Sequence, residues 1–365
     1  MSLTTRLHER AVDLGVDRTG VCTAERFDEV AVALRRRVET GMHGGLGFTF
    51  ADPERSTDVR RSFPWAERLF VAGRAYLPEA GSPGPPAAGT VRVARFATTD
   101  HYGPLRACLE EIGRELEYAG FRAAVLVDDH RLVDRAAAVR AGVGWWGKNT
   151  MVLAPAVGPW MLLGSVVTDA PLELSRPMER DCGTCVACLP ACPTGALVAP
   201  GVLDARRCLA AVLQQPGSIP IELRAAVGDR LYGCDDCLDA CPPGSKLLDR
   251  TTGTGGRHRA LELLALDDRS LLDRFAHFYV PKRRPSLLRR NALVVLGNSG
   301  DENDVGLISG YLGNRRPELR IAAAWALGRI GGSMARAALD AASKSERDPA
   351  VRSELDAASQ ATRSR

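Results

Sequence analysis

No stretch of this 365-residue chain stays apolar long enough to cross a membrane. Nor does the N-terminal segment read as a charged-then-apolar leader, so export is not expected. The net charge is only +4, 48 Lys/Arg against 44 Asp/Glu, so no overall bias selects a polyanionic or polycationic partner. Outside a single segment cysteine is scarce. Cys22 and Cys108 stand alone in apolar contexts and read as small core residues. Many thiols without a leader point to a reducing cytoplasm and away from a disulfide framework. The composition, 45% hydrophobic and 25% charged, is that of an ordinary globular protein, and the length suits two or three domains.

Two nucleotide motifs are present only in part. Gly142, Gly144 and Gly147 spell G-x-G-x-x-G, but a helix enters them and an apolar strand leaves, the reverse of what dinucleotide binding needs. Gly147-Lys148 is followed by Asn149 where a P-loop needs Ser or Thr for its magnesium ion. Asp128-x-His130 opens D-x-H-x-x-G, a cobalt-ligating pattern of several cobalamin enzymes, yet Val133 occupies the glycine position. His130 is therefore not read as a ligand.

What is present is concentrated between Asp181 and Pro243, which holds eight of the ten cysteines. Cys182, Cys185, Cys188 and Cys192 form C-x2-C-x2-C-x3-C-P, and Cys234, Cys237 and Cys241 form C-x2-C-x3-C-P, with Cys208 between. A cubane cluster needs four thiolates at tetrahedral corners, and the fourth cysteine of such a run serves the other cluster. The spacing predicts one 4Fe–4S cluster on Cys182, Cys185, Cys188 and Cys241, and a second on Cys192, Cys208, Cys234 and Cys237. Zinc is the alternative, though zinc ribbons take two C-x2-C pairs per ion and have no use for the C-x3-C-P ending.

Before that segment, helical stretches (Thr4–Leu14, Arg26–Thr40, Pro104–Ala119, Leu132–Ala141) alternate with apolar segments at Thr19–Thr23, Leu69–Tyr76, Val91–Phe96, Ala123–Val127, Met151–Ala154 and Trp160–Thr168. A Pro/Gly-rich loop runs from Pro78 to Gly89. This alternation predicts an α/β domain over 1–176, followed by a ferredoxin-like domain over 177–250. A Gly/Thr linker, Thr251–Gly256, precedes helices over 257–365. There Arg289-x2-Ala292-x3-Leu296-Gly297 recurs 31 residues on as Arg320-x2-Ala323-x3-Leu327-Gly328, and Arg352 is placed to open a third copy. Such a period reads as an all-α, HEAT-like repeat. From Arg257 onward 19 Lys/Arg face 13 Asp/Glu, with Lys282, Arg283, Arg284, Arg289 and Arg290 clustered. They read either as an RNA-backbone track or as a solvated, ion-paired helical surface.

Val127-Asp128, Ala141-Gly-Val-Gly-Trp-Trp-Gly-Lys-Asn-Thr150, Gly158-Pro-Trp160, Leu163-Gly164, the cysteine run, Leu203-Asp-Ala-Arg-Arg-Cys208, Gly217-Ser-Ile-Pro220, Tyr232-Gly-Cys-Asp-Asp-Cys237, Leu288-Arg-Arg-Asn-Ala292 and Leu296-Gly-Asn298 together resemble the epoxyqueuosine reductase family. The resemblance implies a base-off cobalamin in the N-terminal domain, fed with electrons by the two clusters. It also implies helical repeats that hold a tRNA substrate, and an electron donor such as ferredoxin or flavodoxin. The family's V-D-S acid matches Asp128, which would protonate the departing epoxide oxygen as a general acid. The plainer reading is that Asp128 or Asp129 caps the helix expected near Leu132. Lys148, Asn149, Asp235 and Asp236 are expected at the cofactors. Departures fall at Asp129–Asp134, Asp100-His101-Tyr102, Pro159 and Ser165. The rival reading is another cobalamin and iron–sulfur reductase of the reductive-dehalogenase kind, acting on a small molecule.

Overall fold

Four runs rich in Val, Leu and Ala become the strands of one sheet, in the order Arg18–Thr23, Arg68–Ala75, Met161–Thr168, Ala123–Val127. Every neighbouring pair is antiparallel, with Leu69 opposite Val167 and Leu126 opposite Ser165. Because side chains alternate across a strand, the sheet has two apolar faces, and both are covered. On one face lies the helix Tyr102–Tyr118, whose Leu105, Cys108, Leu109, Ile112 and Leu116 recur at three- and four-residue spacing and are all buried. The helix Leu3–Asp13 packs beside it. Against the other face, Ala136, Ala137 and Ala138 of the helix Asp134–Arg140 pack on Cys22, Leu69, Val71, Leu126 and Val167.

This computed structural model describes residues 1–77, 84–248 and 256–363. The linker expected at Thr251–Gly256 lies outside them except for Gly256, as does the 78–83 part of the expected Pro/Gly loop. The chain folds into two units of interleaved segments. One comprises Met1–Gly81, Thr99–Cys208 and Asp235–Gly253, and the other Ser82–Thr98, Leu209–Cys234 and Thr254–Arg365.

These units cut across the expected boundaries at 176 and 250. The stretch 177–250 is divided because Leu209, Val212, Leu213, Ile219, Leu223, Val227 and Leu231 share a core with Leu287, Leu288, Leu293 and Leu296 of the helical arm. The strand expected near Val91 also belongs to this second unit. There Thr90–Val93 pairs in parallel with Arg230–Tyr232 and antiparallel with Arg257–Arg259.

In the arm, the repeated motif falls on the helices Ser286–Ser299 and Pro317–Ile330. Its glycine is a packing requirement. A Cβ on Gly297 would stand 2.4 Å from the Trp325 ring, and one on Gly328 would stand 2.8 Å from the Ala358 Cα. Each glycine therefore lets the next helix approach, and Pro349–Arg363, which contains Arg352, is the helix that meets Gly328. Among the described residues no helix is long and apolar enough to cross a membrane.

Candidate active site

The strand Ala123–Val127 ends in an abrupt turn. Arg106, on the helix Tyr102–Tyr118, donates Nη2 to the Val127 carbonyl at 2.9 Å, and the next residue, Asp128, takes a left-handed conformation with φ +50. Side-chain-bearing residues avoid that region at a cost of about 1–2 kcal/mol, although Asp tolerates it better than most. The turn leaves Asp128 exposed by surface area but crowded by surrounding protein. Desolvation raises its pKa, Arg106 and Arg135 oppose the rise, and Asp129 adds to it. Asp134, the first residue of the helix Asp134–Arg140, is driven the same way, by burial first and by Asp128 next. Among the described residues, buried Asp134 Oδ1 has no hydrogen-bond partner.

Asp129 behaves oppositely. It accepts from Arg131 N and Nε at Oδ1 (both 2.9 Å) and from Nη2 at Oδ2 (2.6 Å). Burial alone would raise its pKa, but these bonds pull it below the usual range. Neither aspartate caps the following helix, whose N-cap is Val133 with no side-chain bond. The cap reading is thus replaced by a turn closed by Asp129 on Arg131. Sequence reasoning passed over Arg106 and met Asp134 only as a departure from the family's pattern. An acid set between Leu132-Val133 and the alanines Ala136–Ala138 was the available signal for Asp134.

In the same unit, Cys182, Cys185, Cys188 and Cys241 line one pocket with Lys148, Asn149, Leu153 and Pro242. Burial pushes the Cys241 thiol up to about 11, with the charges of Cys182, Cys188 and Cys185 adding to the rise. Among the described residues no three His, Cys, Asp or Glu side chains are set to share one metal ion, so these thiols surround a pocket rather than a point. That donor set fits a four-thiolate cluster.

The loops that carry the thiols are tied to the sheet domain. Lys148 Nζ donates to the Gly183 carbonyl at 2.5 Å, and buried Asn149 donates Nδ2 to the Cys237 carbonyl at 3.4 Å while its Oδ1 accepts from Met151 N at 3.1 Å. Fully buried Trp160 donates Nε1 to the Gly244 carbonyl at 3.0 Å. Lys148 and Asn149 thus reach the loops that carry Gly183 and Cys237.

Cys192 follows the short helix Cys188–Ala191. Burial would raise its thiol, but N–H groups of Thr194, Leu197 and Ala196 and the Thr194 hydroxyl bring it below the usual value. Cys237 lies on the helix Asp236–Asp239, preceded by buried Asp235, with Asp236 half-buried. Cys208 closes a segment of this unit. Cys234 belongs to the other unit, so its membership of the second set rests on spacing alone.

The five clustered cations of the arm separate into two kinds. Lys282, Arg283 and Arg284 are exposed, and among the described residues none forms an ion pair. Arg289 instead pairs with Asp268 and donates to the Leu266 carbonyl at 2.7 Å. Its repeat counterpart Arg320 likewise grips Glu346 at 2.6 and 3.1 Å. Arg290 is a correction outright. It is 2% exposed, and its guanidinium donates to the carbonyls of Val212, Leu213, Gln215 and Gly217 and to Asn291 Oδ1. No donor is left for a phosphate. A lone basic residue in a sequence reads as surface, but this one closes the carbonyl ends of a neighbouring helix and loop.

Residues 181–244 match a 4Fe–4S double cluster binding domain, and residues 282–359 match HEAT repeats. The chain is 32% identical to epoxyqueuosine reductase of Bacillus subtilis, over 97% of this chain and 94% of that protein. It is 33% identical to epoxyqueuosine reductase of Vibrio cholerae, over 66% of each. A crystal structure of epoxyqueuosine reductase with an epoxyqueuosine-modified tRNA-Tyr stem loop superposes with a TM-score of 0.91, at 30% identity and 99% coverage of both chains. That of Streptococcus thermophilus gives 0.87, at 27% identity and 98% coverage of both. With the thiol pocket and the HEAT-repeat arm described above, these likenesses mean that the chain belongs to the epoxyqueuosine reductase family.

Proposed function

We propose that this chain reduces the epoxide of epoxyqueuosine in tRNA to the cyclopentene of queuosine, with Asp128 as the proton donor. Turning an epoxide into an alkene takes up two electrons and two protons and releases one water. Electrons would enter one at a time through two 4Fe–4S clusters, held by Cys182, Cys185, Cys188 and Cys241 and by Cys192, Cys208, Cys234 and Cys237. A ferredoxin or flavodoxin in the cytoplasm is the class of donor whose potential suits such clusters. When bound, cobalamin supplies a strongly reducing cobalt centre. The unpartnered Asp134 Oδ1 supports a corrin there, because the ring's amide arms need acceptors of that kind. Val133, in place of glycine, argues against His130 as a cobalt ligand, and the base-off form is what the family resemblance implies. Lys282, Arg283 and Arg284 are assigned to the phosphates of the tRNA.

The observation that carries the reading is Asp128 itself. It ends an apolar strand in a left-handed turn, its pKa is raised by desolvation, and no side chain bonds its carboxyl among the described residues. A carboxylic acid kept protonated to higher pH can hand its proton to the leaving oxygen, which departs poorly as an alkoxide. Asp129, held ionised by Arg131, cannot. The test is single-turnover reduction of epoxyqueuosine-containing tRNA by the reconstituted enzyme. Asp128→Asn should lose about 10²–10⁴-fold while keeping iron and corrin content, and Asp129→Asn should keep most activity. Full activity in Asp128→Asn overturns the assignment.

A further inference from the structure

Resting on the reading that the helical arm holds tRNA, we propose that Tyr279 is a stacking platform for an unpaired base of that RNA, set beside phosphate contacts from Lys282, Arg283 and Arg284. Tyr279 is 66% exposed, although the residues on either side of it, Phe278 and Val280, are buried. The Phe278 ring stacks on Tyr232 at 4.2 Å and on Phe275 at 4.6 Å. The Tyr279 carbonyl accepts from the Tyr232 hydroxyl at 3.1 Å, and the preceding His277 ring bonds the Ala97 carbonyl at 3.0 Å. The backbone under Tyr279 is therefore fixed on both sides while its ring faces outward. A ring displayed this way gives up little freedom when a flat partner settles on it.

The turn that follows supplies the second observation. Arg283 N donates to the Val280 carbonyl at 2.8 Å, and two consecutive residues, Lys282 and Arg283, adopt left-handed φ values of +54 and +47. Side-chain-bearing residues seldom hold that conformation, and where they do it often marks a ligand clamp. Here it gathers three exposed cations, and among the described residues no carboxylate pairs with them. Like charges crowded without counterions select a polyanion, and an aromatic face beside them selects a single-stranded nucleic acid, since every base offers a π-face. An acidic peptide would satisfy the cations but leave the ring unused.

The experiment is anisotropy titration of a labelled tRNA stem-loop, and of a blunt RNA duplex, with the full-length cluster-loaded protein over a range of salt. Tyr279→Ala should weaken stem-loop binding about tenfold, because that is the order of one base–aromatic stack. Its salt slope should not change, because stacking releases no counterions. Tyr279→Phe should bind as the wild type does, and the duplex should not distinguish wild type from Tyr279→Ala. Replacing Lys282, Arg283 and Arg284 by Gln should flatten the slope for both RNAs. If Tyr279→Ala binds the stem-loop normally while the triple variant does not, the RNA face stands and the platform falls. If neither variant weakens binding, the RNA assignment of the arm falls, and the platform with it. Equal loss on the duplex, or a flattened slope in Tyr279→Ala, also overturns stacking. Iron content and unfolding temperature should match the wild type in both Tyr279 variants, as an exposed ring requires.

Discussion

Arg131 closes a two-pronged ion pair on Asp129, Nε and Nη2 standing 2.9 and 2.6 Å from Oδ1 and Oδ2, while the adjoining Asp128 carboxyl has no such clamp. Two neighbouring acids are thereby driven apart, Asp129 down and Asp128 up. Environments that separate a pair of carboxyls in this way set which one can donate a proton near neutrality.

The pH profile follows from that split. The acid form of Asp128 is present below its raised pKa and lost as pH rises through it, so the rate of epoxide reduction should fall on an alkaline limb. Arg106 holds that pKa down from where desolvation alone would set it. Arg106→Gln removes the charge while keeping an N–H for the Val127 carbonyl, so the limb should move to higher pH. Single-turnover rates against pH would show it. A limb that stays in place, or moves to lower pH, would mean that another group supplies the proton.

Asp134 carries the matching stability prediction. Its raised pKa means that the folded state binds a proton more tightly than the unfolded state, so stability declines as pH rises from about 4 through the folded value. Above that value an ionised oxygen with no partner is buried, at a cost on the order of 1–3 kcal/mol. Asn imitates the protonated acid, so Asp134→Asn should change little near pH 4. At pH 8 it should raise the unfolding temperature of corrin-free protein by at least about 2–4 °C. A variant less stable than wild type at pH 8 would mean that the carboxylate is paired in the folded protein.

Much of this was legible in the residues. The eight cysteines announce their chemistry by spacing, and the strand ending at Val127 is bounded by its apolar run and the two aspartates that follow. Strand partnership was not legible. Apolar alternation says that a segment lies in a sheet but not which neighbour it takes, so an expected α/β alternation became an antiparallel sheet and Val91 went to the other unit. Nor does spacing say where a core ends. Leu209–Cys234 follows its leucines into the helical arm, although Cys208 before it and Cys237 after it are expected on the same cluster. Arg289 and Arg290 show the limit most plainly, because charge alone does not distinguish a phosphate contact from a side chain that satisfies carbonyls. The repeat did hold a clue. Arg289 and Arg320 occupy the same motif position, and a residue recurring with the repeat is more naturally part of its packing.

Arg290 makes that distinction measurable. Burial pulls its pKa down to about 10, so the guanidinium is still charged at neutral pH, with carbonyls and Asn291 Oδ1 as its hydrogen-bond acceptors. Arg290→Met fits the space but removes every donor, leaving the Val212, Leu213, Gln215 and Gly217 carbonyls without it. Breaking a buried charged network of this kind costs about 3 kcal/mol or more. Arg290→Lys should recover only part, because one ammonium cannot reach acceptors spread around a planar fork. Denaturant unfolding should therefore rank wild type above Lys above Met. The protein that remains folded should bind the tRNA stem-loop with an unchanged salt slope, since no phosphate contact has been lost. A stable Arg290→Met protein with a flattened slope would return this arginine to the RNA surface and would mean that the loop it anchors opens when tRNA binds.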